Sequence, residues 1–500
     1  MRQTAPAELD LRRSGLSEAK RKLLARYARG HNEDSEVTPE IRRRLPGDPA
    51  PLSLFQEQVW RHAVAGRKVA SFYNESTTVH RYGDLDREAL EHSFTEIIRR
   101  HEAWRTTYDT VDNRPIQVIH PAPGRVTIPF IDLSDVPEES RQVEALRLAT
   151  EDARQPFDLT QGPLVRAVLI SLSNKVHLLF VTMHQSITDG VSVYQILPLE
   201  LTALYTASLT GCSPAVSDLP IQYADFAYWE RKQLQGEALR EEITYWRTQL
   251  RGELLRWPRE RLPLSRSTYE GAIQPFAMPK RVSDGLGELS RREGVTAFMT
   301  LLAAFASLLH CYIRQQLIIT GTVAPAGRRR VEVQNLLGYF LNPVALCIDF
   351  SGNPTVRELL QRCREVTSGA LSHDSVPVEH LSEQLRPEAN SGRPWPFSTA
   401  ITLAPPTPEL DPGWSQTPMD CDGGWAKWDL YLELSVRSNG VMGRAQYRTD
   451  VFTPAVLSRF LEDFNKVLEC IMFDCEQHIS DLPRLCSIEG DPTAAGVEHL

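Results

Sequence analysis

The sequence has few of the features that mark membrane, secreted or metal-binding proteins. No apolar run reaches the length of about 20 residues that a membrane-spanning helix needs, and the first thirty residues are too polar and charged for a signal peptide. The eight cysteines form no Cys-x-x-Cys pair or other zinc spacing, and no His-Glu-x-x-His or Walker sequence occurs. We therefore expect a cytoplasmic protein with reduced cysteines, no metal and no cofactor of its own.

Positive charge is also in the minority. Asp and Glu total 64 against 55 Lys and Arg, a formal net charge of −9, which argues against nucleic acid as a main partner. The basic run Arg328–Arg330 is more simply explained as a solvated or salt-bridged loop. A hydrophobic content of 42% is ordinary for a globular chain, and a length of 500 residues suggests about two to four compact units.

The most informative stretch is Met183–Gly190. It follows Lys175–Thr182, an apolar run that predicts a strand buried on both faces. Polar groups directly after such a strand have two interpretations. Either His184 only satisfies a buried carbonyl beside an Asp-Gly turn, or the loop carries chemistry. One His and one Asp make no catalytic triad, so the local pattern leaves both interpretations open.

Met183–Gly190 resembles the His-His-x-x-x-Asp-Gly signature of condensation domains of nonribosomal peptide synthetases, which chloramphenicol-acetyltransferase-like acyltransferases share. His184, Asp189 and Gly190 match the first His, the Asp and the Gly. The second His, which is the catalytic or positioning residue of the family, corresponds to Gln185. An imidazole exchanges a proton near neutral pH, whereas a carboxamide only donates or accepts hydrogen bonds.

Further segments resemble motifs of the same family, in the family's order, along residues 51–485. They are Pro51–Trp60, Arg100–Tyr108, Phe157–Arg166, Tyr223–Trp229, Gly321–Arg328, Leu337–Pro343, His373–Glu379 and Tyr447–Phe452. Within the second of them, His101 is better explained as a helix-end histidine that holds a carboxylate or carbonyl than as a catalytic residue. Behind the central motif, Pro198 interrupts a helical pattern, which predicts a kinked or bulged helix.

The resemblance implies an α/β (α+β) fold of two chloramphenicol-acetyltransferase-like subdomains, arranged as a V-shaped pseudo-dimer with a central tunnel. We expect these subdomains at 51–218 and 219–485, in a monomeric chain. Residues 1–50 are expected to be an appendage. Within it, Ser17–Gly30 has the punctuation of a short helix that either packs on its own domain or docks on a partner protein. Residues 486–500 are expected to be a tail.

The resemblance also implies a reaction. Phosphopantetheine arms of a donor and an acceptor carrier protein enter the tunnel from its two faces. An amine of the acceptor, or less readily a hydroxyl, attacks the donor thioester and forms an amide or ester through a tetrahedral oxyanion.

Residue roles follow from the same resemblance. Asp189 is expected to pair with Arg328 and to hold the loop, with His184 beside it. Gly190 is expected to present a backbone N–H to the substrate, and Gln185 to hydrogen-bond the amine or the oxyanion. The tunnel is expected to be lined by Ser186, Tyr339 and Asn342.

Two functions remain open at the level of sequence. Placing two bound reactants side by side can contribute about 7–11 kcal/mol, whereas general-base help contributes about 10²–10⁴-fold, so an amine can react without the second His. Degenerate domains of this family instead bind carrier proteins and recruit a tailoring enzyme. Gln185 favours this alternative, while the retained His184, Asp189 and Gly190 favour bond formation.

Overall fold

The structure, a computed structural model, describes residues 40–45, 47–65, 71–250, 269–377, 380–381, 397–418, 421–437 and 440–482. The chain divides into two compact units, Met1–Arg42 and Arg43–Leu500. The possible docking helix at Ser17–Gly30 and the tail at 486–500 lie outside the described residues.

The second and larger unit, called the main unit from here on, begins at Arg43. This is before residue 50, where the boundary was expected. The side chain of Arg43 donates to the carbonyl of Pro220 at 2.8 Å, and the backbone N–H of Arg44 donates to the carboxylate of Asp225 at 3.0 Å. These long-range bonds tie the segment into the main unit.

The first half of the main unit alternates helices and strands, as its apolar periodicity predicts. The elements are α1 (Leu54–Ala65), β1 (Asn74–Tyr82), α2 (Arg87–Arg100), β2 (Thr106–Val111), β3 (Arg114–Ile119), β4 (Phe130–Asp132), α3 (Glu138–Ala153), β5 (Val165–Ser173), β6 (Val176–His184) and α4 (Leu197–Thr210). The charged, amphipathic patterns of residues 87–100 and 137–155 predict helices, and these are present as α2 and α3. The sequence Phe72–Asn74 also looks like a strand, but that prediction is wrong in position, because residues 71–73 form a turn and β1 starts only at Asn74.

The bulged helix predicted behind the motif is also present. Ser192–Ile196 forms a π-helical turn directly before α4, and Pro198 lies in the first turn of α4. A proline is tolerated there because the first N–H groups of a helix have no intrahelical acceptor. Such π-turns are frequent at functional sites.

The second half has the same mixed character. Its elements are α5 (Tyr223–Gln233), α6 (Gly236–Gln249), β7 (Gly271–Ala277), α7 (Lys280–Glu293), α8 (Ala297–Ile313), β8 (Leu317–Ala324), β9 (Asn342–Asp349), α9 (Val356–Ser372), β10 (Thr399–Ala404), β11 (Trp414–Pro418), β12 (Leu430–Arg437), β13 (Gly440–Arg448) and α10 (Pro454–Phe473). Among the described residues no single helix is long and apolar enough to cross a membrane, and only α7 and α8 together, bent by 104°, meet that test.

Two mixed sheets organise the main unit. The first has the strand order β11-β1-β6-β5-β4, and the second has the order β7-β13-β12-β10-β8-β9. Strand β11 comes from the second half of the sequence, yet it pairs antiparallel with β1. The predicted division into 51–218 and 219–485 therefore does not coincide with the division into sheets.

Strand β6 lies in the middle of the first sheet and is buried on both faces, as its apolar run predicts. Because successive side chains of a strand point to opposite faces, Leu178 and Phe180 pack with the alanines of α3. Leu179, Val181 and Met183 pack on the other side with α2 and α4. The loop that follows β6 therefore starts from a rigid, fully buried support.

Strand β12 of the second sheet is fully buried on one face only. Along β12, Leu430, Leu432 and Leu434 point into the core that includes α8 and α10. The alternation turns Tyr431 and Glu433 to the opposite face, where both side chains are half-buried. This polar face contributes to the site described next.

Candidate active site

The loop after β6 begins with a histidine that caps it. His184 ends the strand, and the nitrogen Nδ1 of its ring accepts from the backbone N–H of Ser186 at 3.3 Å and lies 2.8 Å from the Ser186 hydroxyl. Because Nδ1 accepts, the ring proton of the neutral form is on Nε2. Burial, together with the charge of Lys427, lowers the pKa of His184 to about 3. His184 is thus a neutral structural group rather than an acid–base catalyst.

Ser186 does not line a tunnel, so that prediction is wrong. The residue has no exposed surface, and its hydroxyl lies against His184. Its carbonyl accepts from the side chain of Gln56 and from the hydroxyl of Tyr108, both at 3.0 Å. Two motifs that precede the loop by many residues therefore fix the backbone of the loop from behind.

Asp189 and Arg328 form the ion pair that was expected between them. The guanidinium Nε donates to Oδ2 of Asp189 at 2.9 Å, and Nη2 donates to Oδ1 at 2.8 Å. Asp189 is 1% exposed and Arg328 is 8% exposed. A bidentate pair of this kind fixes direction as well as distance, so it locks the loop to the segment after β8.

The remaining polar atoms of the pair are also satisfied. Asp189 accepts from the backbone N–H of Ser192 at 2.7 Å and of Phe340 at 3.3 Å. Arg328 donates from Nη1 to the carbonyls of residues 333, 334 and 336, and from Nη2 to the Ser192 hydroxyl at 2.6 Å. Buried ionic groups are tolerated when their hydrogen bonds are complete in this way.

Gly190 has no structural need to be glycine in this chain. A Cβ added there would meet only the ring of Tyr194, at 3.7 Å, which is an ordinary van der Waals distance. The backbone lies outside the left-handed region in which a side chain is strained. The approach of a substrate to Gly190 thus stays a prediction.

Gln185 lies in a short polar chain of three side chains. Its Nε2 donates to the carboxylate of Glu75 at 3.0 Å, and its Oε1 accepts from the ammonium of Lys427. Its backbone N–H donates to the carbonyl of Tyr73 at 2.7 Å. Both ends of the carboxamide are therefore engaged by groups of opposite charge.

Burial shifts the pKa values of Glu75 and Lys427 in the directions that favour the neutral form of each side chain. It raises the pKa of Glu75, against the attraction of Lys427 and Arg444. It lowers the pKa of Lys427 to about 8, against the attraction of Glu75. The displacement has the direction that desolvation gives to an acid and to a base.

A second charged pair lies near these three side chains, on the polar face of the second sheet. Arg444 on β13 donates to Glu433 on β12 from Nε at 2.7 Å. Glu433 and Arg444 both act electrostatically on Glu75 and on the hydroxyl of Tyr194. The four side chains of Glu75, Lys427, Glu433 and Arg444 keep some accessible surface.

Asn342 is placed differently from the prediction that it lines a tunnel, whereas the tunnel-lining role of Tyr339 stays a prediction. Asn342 has no exposed surface, and its amide donates to the carbonyls of Asp374 and Val376 at 2.8 Å each. It therefore closes a loop against the sheet. Tyr339 is 5% exposed, and its carbonyl accepts from the hydroxyl of Tyr223.

His101 has the structural role that was favoured for it. Its Nε2 lies 2.8 Å from the carboxylate of Glu200, and its Nδ1 accepts from the backbone N–H of Leu337 at 3.2 Å. It joins the end of α2 to α4 and to the segment before β9.

Glu75 and Lys427 were not predicted from the sequence. A charged residue near the start of a strand, and a lysine between two tryptophans in a loop, give no local signal of proximity to Gln185. The signal that existed was indirect. Once β1 is paired antiparallel with β6, the register of Asn74 with His184 brings Glu75 beside the loop.

The two sheets with their helices, and a loop locked by a buried Asp–Arg pair at the end of the central strand, define the mixed α/β fold of chloramphenicol-acetyltransferase-like acyltransferases. Solved condensation domains share this fold. The chain belongs to the condensation domain family, whose model matches residues 47–489.

Its curated relatives are peptide synthetases. The chain is 37% identical over 444 residues to one component of the linear gramicidin synthase of Brevibacillus parabrevis, a match that covers 87% of this chain and 8% of that protein. It is 34% identical over 457 residues to phosphinothricin tripeptide synthetase PhsC of Streptomyces viridochromogenes, a match that covers 89% of this chain and 41% of that protein. The chain thus spans less than half the length of these relatives.

Solved structures of two kinds are similar over nearly the whole domain. The X-domain from teicoplanin biosynthesis matches with a TM-score of 0.77 and 26% identity, over 89% of this chain and 99% of that one. It has also been solved in a complex with OxyB. The first condensation domain of the calcium-dependent antibiotic synthetase matches with a TM-score of 0.74 over 87% of this chain and 99% of that one, at 18% identity.

Proposed function

We propose that this condensation domain forms amide bonds in nonribosomal peptide or hybrid polyketide biosynthesis. It transfers an acyl or peptidyl group from the phosphopantetheine thioester of a donor carrier protein to the amine of an acceptor carrier's substrate. The observation that supports this function is the hydrogen-bonded series Glu75–Gln185–Lys427, whose central member lies in the motif loop.

This series of three side chains supports catalysis because burying its two charged groups costs free energy. Docking alone does not require that cost. Desolvating an ammonium and a carboxylate is unfavourable unless each is paired. Groups whose pKa values are displaced towards neutrality cluster at catalytic sites. A domain that only binds a partner has no need of such groups beside its motif.

The acceptor in this proposal is an amine rather than a hydroxyl. A neutral amine attacks a thioester without first losing a proton, so positioning alone can sustain the reaction. A hydroxyl must lose its proton as it attacks and depends far more on a strong base. Gln185 positions the amine or the oxyanion through its carboxamide.

Recruitment of a tailoring enzyme is the second candidate function. The observation that favours it is the similarity to the teicoplanin X-domain, whose complex with OxyB has been solved. The carboxamide at residue 185 also favours it, because it cannot exchange a proton. In this case the domain binds carrier proteins and a partner enzyme without forming a bond.

Intact-protein mass spectrometry of loaded carrier proteins distinguishes the two functions. The unmodified chain is incubated with an acyl-loaded donor carrier and an aminoacyl-loaded acceptor carrier, beside Gln185→Ala and Gln185→His. Gln142→Ala is the matched control, since Gln142 is exposed on α3. A reaction without the chain measures spontaneous transfer.

Amide formation requires the acyl group to appear on the acceptor carrier above the spontaneous level. We expect this for the unmodified chain and for Gln142→Ala, with a loss in Gln185→Ala. Transfer by Gln185→His alone would indicate a silent domain on an intact scaffold. Carrier binding without transfer by any variant would favour recruitment.

A further inference from the structure

Lys427 contacts the motif loop through a direct hydrogen bond. It lies in the segment between β11 and β12, and its Nζ donates to Oε1 of Gln185. The ammonium also lies 4.6 Å from the ring centre of Tyr73. The lysine therefore reaches, from the other half of the sequence, the side chain that stands at the position of the family's second His.

We propose that Lys427, in its neutral amine form, is the proton acceptor of the condensation reaction and performs the step that the carboxamide of Gln185 cannot. This inference rests on the proposed function and names the residue that completes it. Gln185 then positions the lysine through Oε1 and the substrate through the second N–H of Nε2, the one that is not donated to Glu75.

The proton transfers balance without any further reactant. The acceptor amine attacks the thioester carbon, which forms the C–N bond and moves an electron pair onto the carbonyl oxygen. The nitrogen then gives one proton to Nζ of Lys427. When the oxyanion collapses, the C–S bond breaks, and the departing phosphopantetheine thiolate takes that proton from Lys427. The products are an amide and a thiol, and the lysine is again neutral.

The acidity of Lys427 suits both transfers. Its pKa is lowered to about 8 by burial, close to the value of about 8.5 for an ordinary thiol. A group of this acidity is partly neutral near neutral pH and still returns its proton to a thiolate. An unperturbed lysine, with a pKa of about 10.4, stays protonated under these conditions.

The surrounding groups favour Lys427 over the other titratable side chains of the site as the proton acceptor. Nδ1 of His184 is occupied within the loop, and burial and Lys427 keep that ring neutral. Glu75 accepts from Gln185, and its charge opposes a still lower pKa for the lysine. The more distant Glu433 and Arg444 are paired with each other. Within this cluster, Lys427 is therefore the group that directly contacts the carboxamide of Gln185 and has a pKa near that of a thiol.

Lys427→Arg is the sharpest test, because arginine keeps the positive charge but does not lose its proton in proteins. Lys280→Arg on the exposed start of α7 is the matched control. The rate of acyl transfer is measured by mass spectrometry in single turnovers with saturating carriers, between about pH 6.5 and pH 9.5. The acceptor carries an aminooxy group, whose nitrogen stays neutral over this range and so does not contribute to the profile.

For the unmodified chain we expect the rate to rise with pH and to level off above about pH 8, as Lys427 loses its proton. Lys427→Arg should be slower by about 10²-fold or more, with unchanged affinity for both carriers. Lys427→His should recover part of the rate, with the rise moved to lower pH, because an imidazole has a pKa of about 6.5.

Each contrary result has a separate meaning. A rate in Lys427→Arg equal to that of Lys280→Arg would overturn the inference, because the lysine would then act only through its charge. A flat pH profile in the unmodified chain would overturn it as well, even if the arginine variant does not fold. Absence of transfer by the unmodified chain with a natural amine acceptor would instead refute the proposed function.

Discussion

Breaking the Asp189–Arg328 pair should destabilise the main unit much more than breaking an exposed pair. In Arg328→Met the Asp189 carboxylate keeps only the backbone N–H groups of Ser192 and Phe340 as donors. Leaving one member of a buried pair uncompensated costs about 3–5 kcal/mol. We expect a loss of that size in the free energy of unfolding, measured by urea denaturation.

The matched control is Arg147→Met on α3. Its guanidinium is half exposed and lies between Glu144 and Glu151, and exposed pairs contribute about 0–1 kcal/mol. A loss in Arg328→Met no larger than that in Arg147→Met would refute the conclusion that the pair is buried and energetically coupled.

The double variant Asp189→Asn/Arg328→Met separates the pair from its parts. Each single change leaves a charge without its partner, whereas the double change leaves neither charge. We therefore expect the double variant to be less destabilised than the sum of the single variants, with a coupling of about 0.5–3 kcal/mol. Simple additivity would mean that the two residues act independently.

Three further outcomes follow from the loop and its neighbours. Gly190→Ala should leave the melting temperature unchanged, because the added Cβ lies 3.7 Å from Tyr194. Acyl transfer should fall in this variant if a substrate approaches the backbone of Gly190. Unchanged transfer would contradict that approach. Tyr108→Phe deletes one of two donors to the carbonyl of Ser186 and should cost about 0.5–1.5 kcal/mol in urea denaturation. Because burial raises the pKa of Glu75, its contribution to stability is present below the ordinary carboxyl value and is lost as pH rises through the raised pKa. Glu75→Gln should therefore gain stability relative to the unmodified chain as the pH rises above the ordinary carboxyl value of about 4.3 in thermal melts, and a pH-independent difference would contradict this.

The basic run Arg328–Arg330 shows that charge alone predicts the presence of ion pairs but not the partner of each arginine. The expectation was a solvated or a salt-bridged loop, and the structure shows the second, since each arginine has a carboxylate partner. The partners are Asp189, Asp374 and Glu332, of which only Glu332 is close in sequence. The resemblance indicated which of the three arginines meets Asp189, whereas charge alone did not.

The predictions about tunnel-lining residues failed for a related reason. Ser186 and Asn342 lie within motifs, and a motif position does not distinguish a side chain that faces a substrate from one that holds a loop. Ser186 is turned back towards His184, and Asn342 binds two carbonyls of a neighbouring loop. The direction of each side chain depends on the backbone that surrounds it in three dimensions.

The sequence by itself determined the buried strand β6, the loop from His184 to Gly190 and the carboxamide at residue 185, because periodicity and motif spacing are local. Only the tertiary structure decided what that carboxamide contacts. Glu75 is 110 residues away and arrives through the antiparallel pairing of β1 with β6. Lys427 is 242 residues away and arrives in the segment that follows β11, the strand that crosses over to β1. Burial of these two charges beside Gln185, which no local pattern encodes, raises the pKa of Glu75 and lowers that of Lys427.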